Sequence, residues 1–308
     1  SLTFSDKLKT PRMKGFLRKF CFAMIGVASY PVNLLADRFM AQFIVNEEGA
    51  VTCLYQGDRL MQVPFGVLAV SIGTVALAEL SKVASDKRRF FAGFSRAMRL
   101  SLFLAVPMAA VMAFLSTQIV DLTLNYGEFA NLQRIRALDR TSLALLCYSL
   151  GLPGYFAVTC LTRSYFARQE MVTPVKVSWW MVALNIGLNI ALLWLTDLGE
   201  AALALSSAAV ALLNATLLYT IMGFKWRWIK PPVSLKVLCG VVPAALLGLV
   251  AAWGGVQLVG TETGGLVVSR FVRFVVPAGA FFAVFACVVT VLRLREARDI
   301  LSLLHRRK

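Results

Sequence analysis

An aspartate followed directly by an arginine, Asp58-Arg59, stands inside an apolar run that continues to Leu80, and this is where the sequence is best equipped to do chemistry. An arginine near the middle of a bilayer helix costs about 2.5–3.5 kcal/mol on insertion scales, so a chain that keeps one turns it toward protein or a watery cavity. Tyr55, Asp58, Arg59 and Gln62 recur at i, i+3, i+4 and i+7, the spacing of one helical face. Such a stripe either neutralises itself as a snorkelling ion pair or lines a binding cavity. Its extension to Tyr55 and Gln62 over two turns favours the cavity. Pro64 and Gly66 follow it, a pair that bends a helix and lets a neighbour approach.

Two further polar pairs interrupt apolar runs. Asn33 and Asp37 are one helical turn apart, as are Asn185 and Asn189, so each pair shares a face and the two can meet. Carboxylate and amide oxygens are hard ligands suited to a small cation. The alternative is that the amides hydrogen-bond neighbouring helices as packing glue. Other site chemistry is poorly supplied. The six cysteines are scattered singly with no metal-ligand spacing, and the one histidine, His305, sits in a basic tail, so neither a metal centre nor enzyme chemistry finds support.

These residues require membrane helices to position them. Of 308 residues 58% are hydrophobic and only 16% charged, with a mean hydropathy of +0.72, which implies an all-α polytopic membrane protein. The net charge of +16 comes in short clusters between apolar runs, as membrane orientation demands, and therefore does not point to nucleic acid. At about 20 residues per crossing, eight transmembrane helices are expected: 18–45, 50–82, 91–120, 139–163, 174–196, 200–223, 234–259 and 268–292. Residues 1–17 read as a basic segment lying at the cytoplasmic interface. Most of the 32 lysines and arginines fall on one set of flanks, whereas Arg134, Arg136, Arg140, Arg270 and Arg273 fall on the other. By the positive-inside rule both ends of the chain are cytoplasmic.

The stretch from Tyr55 through Asp58, Arg59, Gln62, Pro64 and Gly66, with Gly73-Thr74-Val75 and Glu79-Leu80-Ser81-Lys82 beyond, resembles the MurJ (MviN) family of lipid II flippases. So do Asn125-Tyr126-Gly127-Glu128-Phe129, the run from Arg163 to Glu170 leading into Thr173-Pro174-Val175-Lys176, and Gly199 to Ser207 with Asn214 beyond. The resemblance implies the multidrug/oligosaccharidyl-lipid/polysaccharide exporter fold, of which these helices would be the seventh to the fourteenth. It divides the chain into the interfacial segment 1–17, a six-helix lobe at 18–224, and two additional helices with a basic tail at 225–308. The N-terminal lobe of such a transporter is then expected as a partner, and with Ser1 first the chain is expected to be a fragment.

For the site, the resemblance implies that Arg59 meets a lipid-linked pyrophosphate, with Asp58 holding the guanidinium and Gln62 and Tyr55 beside it. It also implies a sodium site at Asp37, Asn185, Asn189 and Ser206, with Asn189 standing where an acidic residue can occur, and no other cofactor. Ala78 replaces a proline common before the Leu-Ser pair, so a straighter helix end is expected. The implied activity is translocation of lipid II, undecaprenyl-pyrophosphate-linked disaccharide-pentapeptide, across the bacterial inner membrane by alternating access in cell-wall synthesis. The rival readings are a flippase for another polyprenyl-linked glycan, a cation-coupled drug exporter of the same superfamily, and a non-transporting scaffold that holds the precursor.

Overall fold

Backbone N–H and C=O groups inside a bilayer find no water, so a chain that enters one must satisfy them internally, and a helix does so. The computed structural model describes residues 11–126, 136–227, 235–259 and 266–292, and its regular elements are all helical. In chain order they are α1 (Pro11–Met40), α2 (Ala50–Pro64), α3 (Val70–Lys82), α4 (Lys87–Phe114), α5 (Ser116–Leu124), α6 (Ala137–Leu150), α7 (Leu152–Ala167), α8 (Val172–Leu195), α9 (Glu200–Trp226), α10 (Leu235–Leu258) and α11 (Leu266–Val291). Two wide π turns add to them, Ala41–Val45 extending α1 and Phe65–Ala69 joining α2 to α3. The second follows Pro64, which has no N–H to donate and crowds the carbonyl one turn back, so the hydrogen-bond ladder opens there. The expected helix end past Ala78 is regular, with α3 running to Lys82.

Six helices are long and apolar enough to cross a membrane, with Ala50–Lys82 counted as one, and α6 with α7 makes a seventh if that bent pair is one span. The span expected at 18–45 coincides with α1 and its π extension, but the side chains of 11–23 lie outside the described residues. Most of the interfacial segment at 1–17 and the tail from 293 also lie outside them, as does the turn expected at Gly127 to Phe129.

Two expected spans are divided. The helix read as 91–120 ends at Phe114, turns at Leu115 and resumes as α5. The helix read as 139–163 breaks by 44° at Gly151. Pro153 sits in the first turn of α7, where its missing N–H does no harm but ends the ladder from α6.

Large apolar side chains point outward: Trp194, Leu195 and Phe224 are 85%, 80% and 86% exposed. Lipid accepts such a surface and water does not. Inside, three apolar cores form. One gathers Leu54, Met61, Leu145, Leu152, Phe156 and Leu203; a second gathers Phe90, Phe94, Leu161, Tyr165 and Leu218. The third, with Phe103, Leu115, Phe281 and Phe285, seats α10 and α11 against α4.

Polar staples close both ends of the bundle. At one end Arg140 forks onto Glu200, Nε to Oε1 at 2.6 Å and one terminal nitrogen to Oε2 at 2.8 Å, and also donates to the Glu48 carbonyl at 2.9 Å. Glu47 approaches it at 3.2 Å. The Glu200 side chain is only 4% exposed, so removing its partner strands a buried charge. Arg140→Ala is therefore expected to cost about 3 kcal/mol, read as a lower melting temperature in detergent. Adding Glu200→Leu should recover most of that loss, and a single variant as stable as the parent would remove the clamp from the account.

At the other end the Arg168 guanidinium lies 4.5 Å from the Trp226 ring centre and 5.4 Å from that of Phe90. Burial alone would push the Glu170 carboxyl up. Hydrogen bonds from Lys225, Thr173 and Trp226 outweigh it and hold the group below the usual carboxylate range. The motif from Arg163 to Lys176 thus fastens α7 and α8 to α9.

Candidate functional site

Of the three Asp-Arg dipeptides in the sequence, two lie inside apolar runs, Asp37-Arg38 on α1 and Asp58-Arg59 on α2. Successive residues on a helix differ by about 100° in direction, so each pair is split between two environments. Both aspartates are buried, at 2% and 6% exposure. Both arginines turn instead to Tyr55, the Arg38 guanidinium 4.8 Å and the Arg59 guanidinium 5.5 Å from its ring centre.

This corrects the expected stripe. Asp58 does not hold Arg59: its carboxylate accepts from Gln62 Nε2 at 2.6 Å, and Gln62 also donates to the Tyr30 hydroxyl at 2.9 Å. The inward turn of Asp58 follows from its neighbour Gly57, where a Cβ would come within 3.1 Å of Ala144 and 3.2 Å of the Leu145 nitrogen. The missing side chain lets α2 lie against α6, and Asp58 is carried in with it. Of the four residues, Tyr55 and Arg59 share one site, Asp58 and Gln62 another. Arg38 was absent from the expected site, although the repeated Asp-Arg pair was a signal that could have found it.

The other expected set does assemble. α1 packs on α8 and α8 on α9, which brings Asp37, Asn185, Asn189 and Ser206 together, all buried. Asn189 Nδ2 donates to Asp37 Oδ1 at 2.6 Å and to Asn185 Oδ1 at 3.1 Å. The Ser206 hydroxyl has Asn189 Oδ1 and the Leu203 carbonyl within reach as alternative acceptors for its one proton. Ser207, not expected, donates to Asp37 Oδ2 at 3.1 Å, and Asn185 Nδ2 approaches both serine hydroxyls at 3.3–3.4 Å. Asn33 takes no part in these bonds. Chemically the cluster is one carboxylate with amide and hydroxyl oxygens, a donor set for a hard monovalent cation. Among the described residues no three His, Cys, Asp or Glu side chains gather as a richer metal set.

Apolar helices of membrane-crossing length around a buried polar cluster, with Arg59 exposed and Arg38 half-buried beside it, define a polytopic helical membrane lobe. Its fold matches a solved structure of lipid II flippase MurJ in an inward closed conformation, with TM-score 0.71 and 21% identity over 96% of this chain and 57% of that one. It also matches a eukaryotic MATE transporter, AtDTX14, with TM-score 0.55 and 17% identity over 92% of this chain and 68% of that one. The family model described as lipid II flippase MurJ matches residues 3–276, and the chain belongs to that family. A probable lipid II flippase MurJ of Vibrio cholerae serotype O1 is 32% identical over 201 residues, 64% of this chain and 36% of that protein. The chain spans less than half the length of the curated relatives it matches.

Proposed function

We propose that this chain serves a lipid II flippase, carrying undecaprenyl-pyrophosphate-linked disaccharide-pentapeptide from the cytoplasmic to the outer leaflet of the bacterial inner membrane by alternating access. The observation that carries this reading is the Arg38–Tyr55–Arg59 face. Guanidinium forks match phosphate oxygens two at a time, and a ring between them keeps both from collapsing onto a carboxylate of their own helix. No covalent bond of the cargo changes, so the chain acts as a carrier and not an enzyme. A guanidinium left facing lipid is costly, so the face calls for a second helical lobe opposite it. In this reading residues 18–224 form the lobe that rocks and 225–308 contribute two additional helices and a basic tail. Both ends are cytoplasmic, and a cysteine placed at Asn125 should react with an impermeant reagent from outside while one at Ser85 should not; reversed labelling would overturn the orientation.

Sodium at Asp37, Asn185, Asn189 and Ser206, with Ser207 joining, would bias the populations of the two orientations, since a ligand shifts an equilibrium by its differential affinity. The membrane potential adds about 2.3 kcal/mol per charge per 100 mV. The test is translocation of labelled lipid II in reconstituted vesicles. Movement should require the lipid-linked pyrophosphate, and Asp37→Asn should remove its sodium dependence while leaving lipid binding in place. The fold shared with a MATE transporter favours one other reading, a cation-coupled exporter. Vesicles that move a cationic drug and not lipid II would establish that reading, and binding without movement would leave a scaffold.

A further inference from the structure

Beside the Asp37 cluster, toward the end of the bundle where Lys82, Arg163, Lys176 and Lys225 lie, the helices surround a cavity of about 220 Å³. Asp37 and Asp58 both reach its wall, together with Asn33, Ser178, Ser207 and Asn214. No lysine, arginine or histidine lines it. Oδ1 of Asn33 and Oδ1 of Asn214 are buried without a hydrogen-bond partner. Two carboxylates therefore line one space, with two unpaired amide oxygens on asparagines of the same wall, while the arginine next to each carboxylate is turned onto Tyr55. Buried charge of one sign requires a counter-charge; Arg38 lies close enough to attract Asp58 from outside the wall, and no cation on the wall serves Asp37. The volume is several times the share of one water in the liquid, about 30 Å³. It accommodates an ion with part of its hydration shell.

The polar wall extends in one direction. Asn33 precedes Asp37 by one turn on α1, Ser178 precedes Asn185 by two turns on α8, and Asn214 follows Ser206 by about two turns on α9. All three displacements run toward the basic end of the bundle. We propose that this cavity is a monovalent-cation position separate from the Asp37–Asn185–Asn189–Ser206 cluster, bounded by Asp58, Asn33 and Asn214, through which sodium or hydronium reaches the cluster from the basic end. Oxygen is the only ligand type on the polar wall, which suits a hard cation, and two carboxylates are few for a calcium site. On α2, consecutive residues then face opposite charges: Asp58 meets the cation and Arg59 the outer anion.

The inference goes beyond lipid transport and needs only ion binding, so its test contains no lipid II. Sodium would be titrated into the purified chain in lipid nanodiscs, read by calorimetry and by melting temperature, with potassium and choline as controls, at acid and neutral pH. Asn33→Ala with Asn214→Ala is expected to weaken sodium binding about tenfold, and Asn214→Asp, which adds a third carboxylate, to strengthen it and admit Ca²⁺. The second variant decides the matter if the first fails to fold. Saturation by sodium assigns the position to sodium; proton uptake lost in Asp58→Asn, without sodium saturation, assigns it to hydronium. Affinities and stoichiometries equal to the parent in both asparagine variants at both pH values would reduce the cavity to a pool of water and overturn the proposal.

Discussion

Arg59→Ala is expected to abolish growth of a strain depleted of its own lipid II flippase and relying on the complete protein, with the variant still accumulating in the membrane at the parental level. The residue is exposed and contacts the Tyr55 ring, so its loss removes little packing, and exposed substitutions of this kind stay within about 0.5 kcal/mol of the parent. Its loss from a desolvated contact with phosphate is another matter, costing about 2–5 kcal/mol of cargo binding. Arg59→Lys should recover part of the activity, because an ammonium restores charge without the planar fork. Arg38→Ala should fall between the two, since Arg59 remains on the shared ring. Full complementation by Arg59→Ala would remove the anion-binding face from the account.

Gly154→Val is expected to eliminate most folded protein. A Cβ at 154 would stand 2.6 Å from the Ala211 carbonyl carbon and 2.7 Å from the Leu212 nitrogen, and at Gly151 2.7 Å from Ala208 Cα. Backbone atoms cannot change rotamer to relieve this, so α7 and α9 would have to part along the seam that also supports Ser206 and Ser207. Overpacking typically costs about 1–3 kcal/mol and occasionally more, and contacts with fixed backbone place this variant at the upper end. Small residues let membrane helices approach closely where no hydrophobic force draws them together. Gly187→Ala is the control: nothing lies within 4 Å of the added carbon, and the melting temperature should hold or rise. Monodispersity in detergent after heating separates the outcomes, and an unshifted midpoint for Gly154→Val would show that the seam gives way.

The helices were legible because apolar runs of bilayer length have few other uses, and the one-turn spacing of Asn185 and Asn189 correctly placed both on the face that meets α1 and α9. Reading 139–163 as one helix failed because hydropathy outweighed Gly151 and Pro153, although those residues mark the break. The Asp58–Arg59 pair misled for a geometric reason. Adjacent charges look like a salt bridge in a string of letters, whereas on a helix they diverge, and only Gly57 against Ala144 determines which one goes inward. Arg140 and Glu200 are far apart in the chain, and no local pattern announces that they meet. The same is true of Ser207 and Asp37, brought together by the packing of α1, α8 and α9.

The π turn at Phe65–Ala69 bears on how this protein tolerates changes of length. A π turn bonds each residue to the fifth before it, where an α turn bonds to the fourth, so it takes up about one residue more than the same rotation of regular helix. On its near side Asp58 faces into the bundle, and on its far side Gly73 lets α3 settle against Thr159 and Arg163. Loss of one residue within 65–69 would let the wide turn relax to regular helix with both of those faces kept. Loss of one residue of regular helix between Asp58 and Gly73 would turn one of those faces about 100° away from its partner. Between Asp58 and Gly73 the wide turn is therefore the place where the sequence can shorten, and the regular helix on either side of it is fixed in length by the two faces it must present.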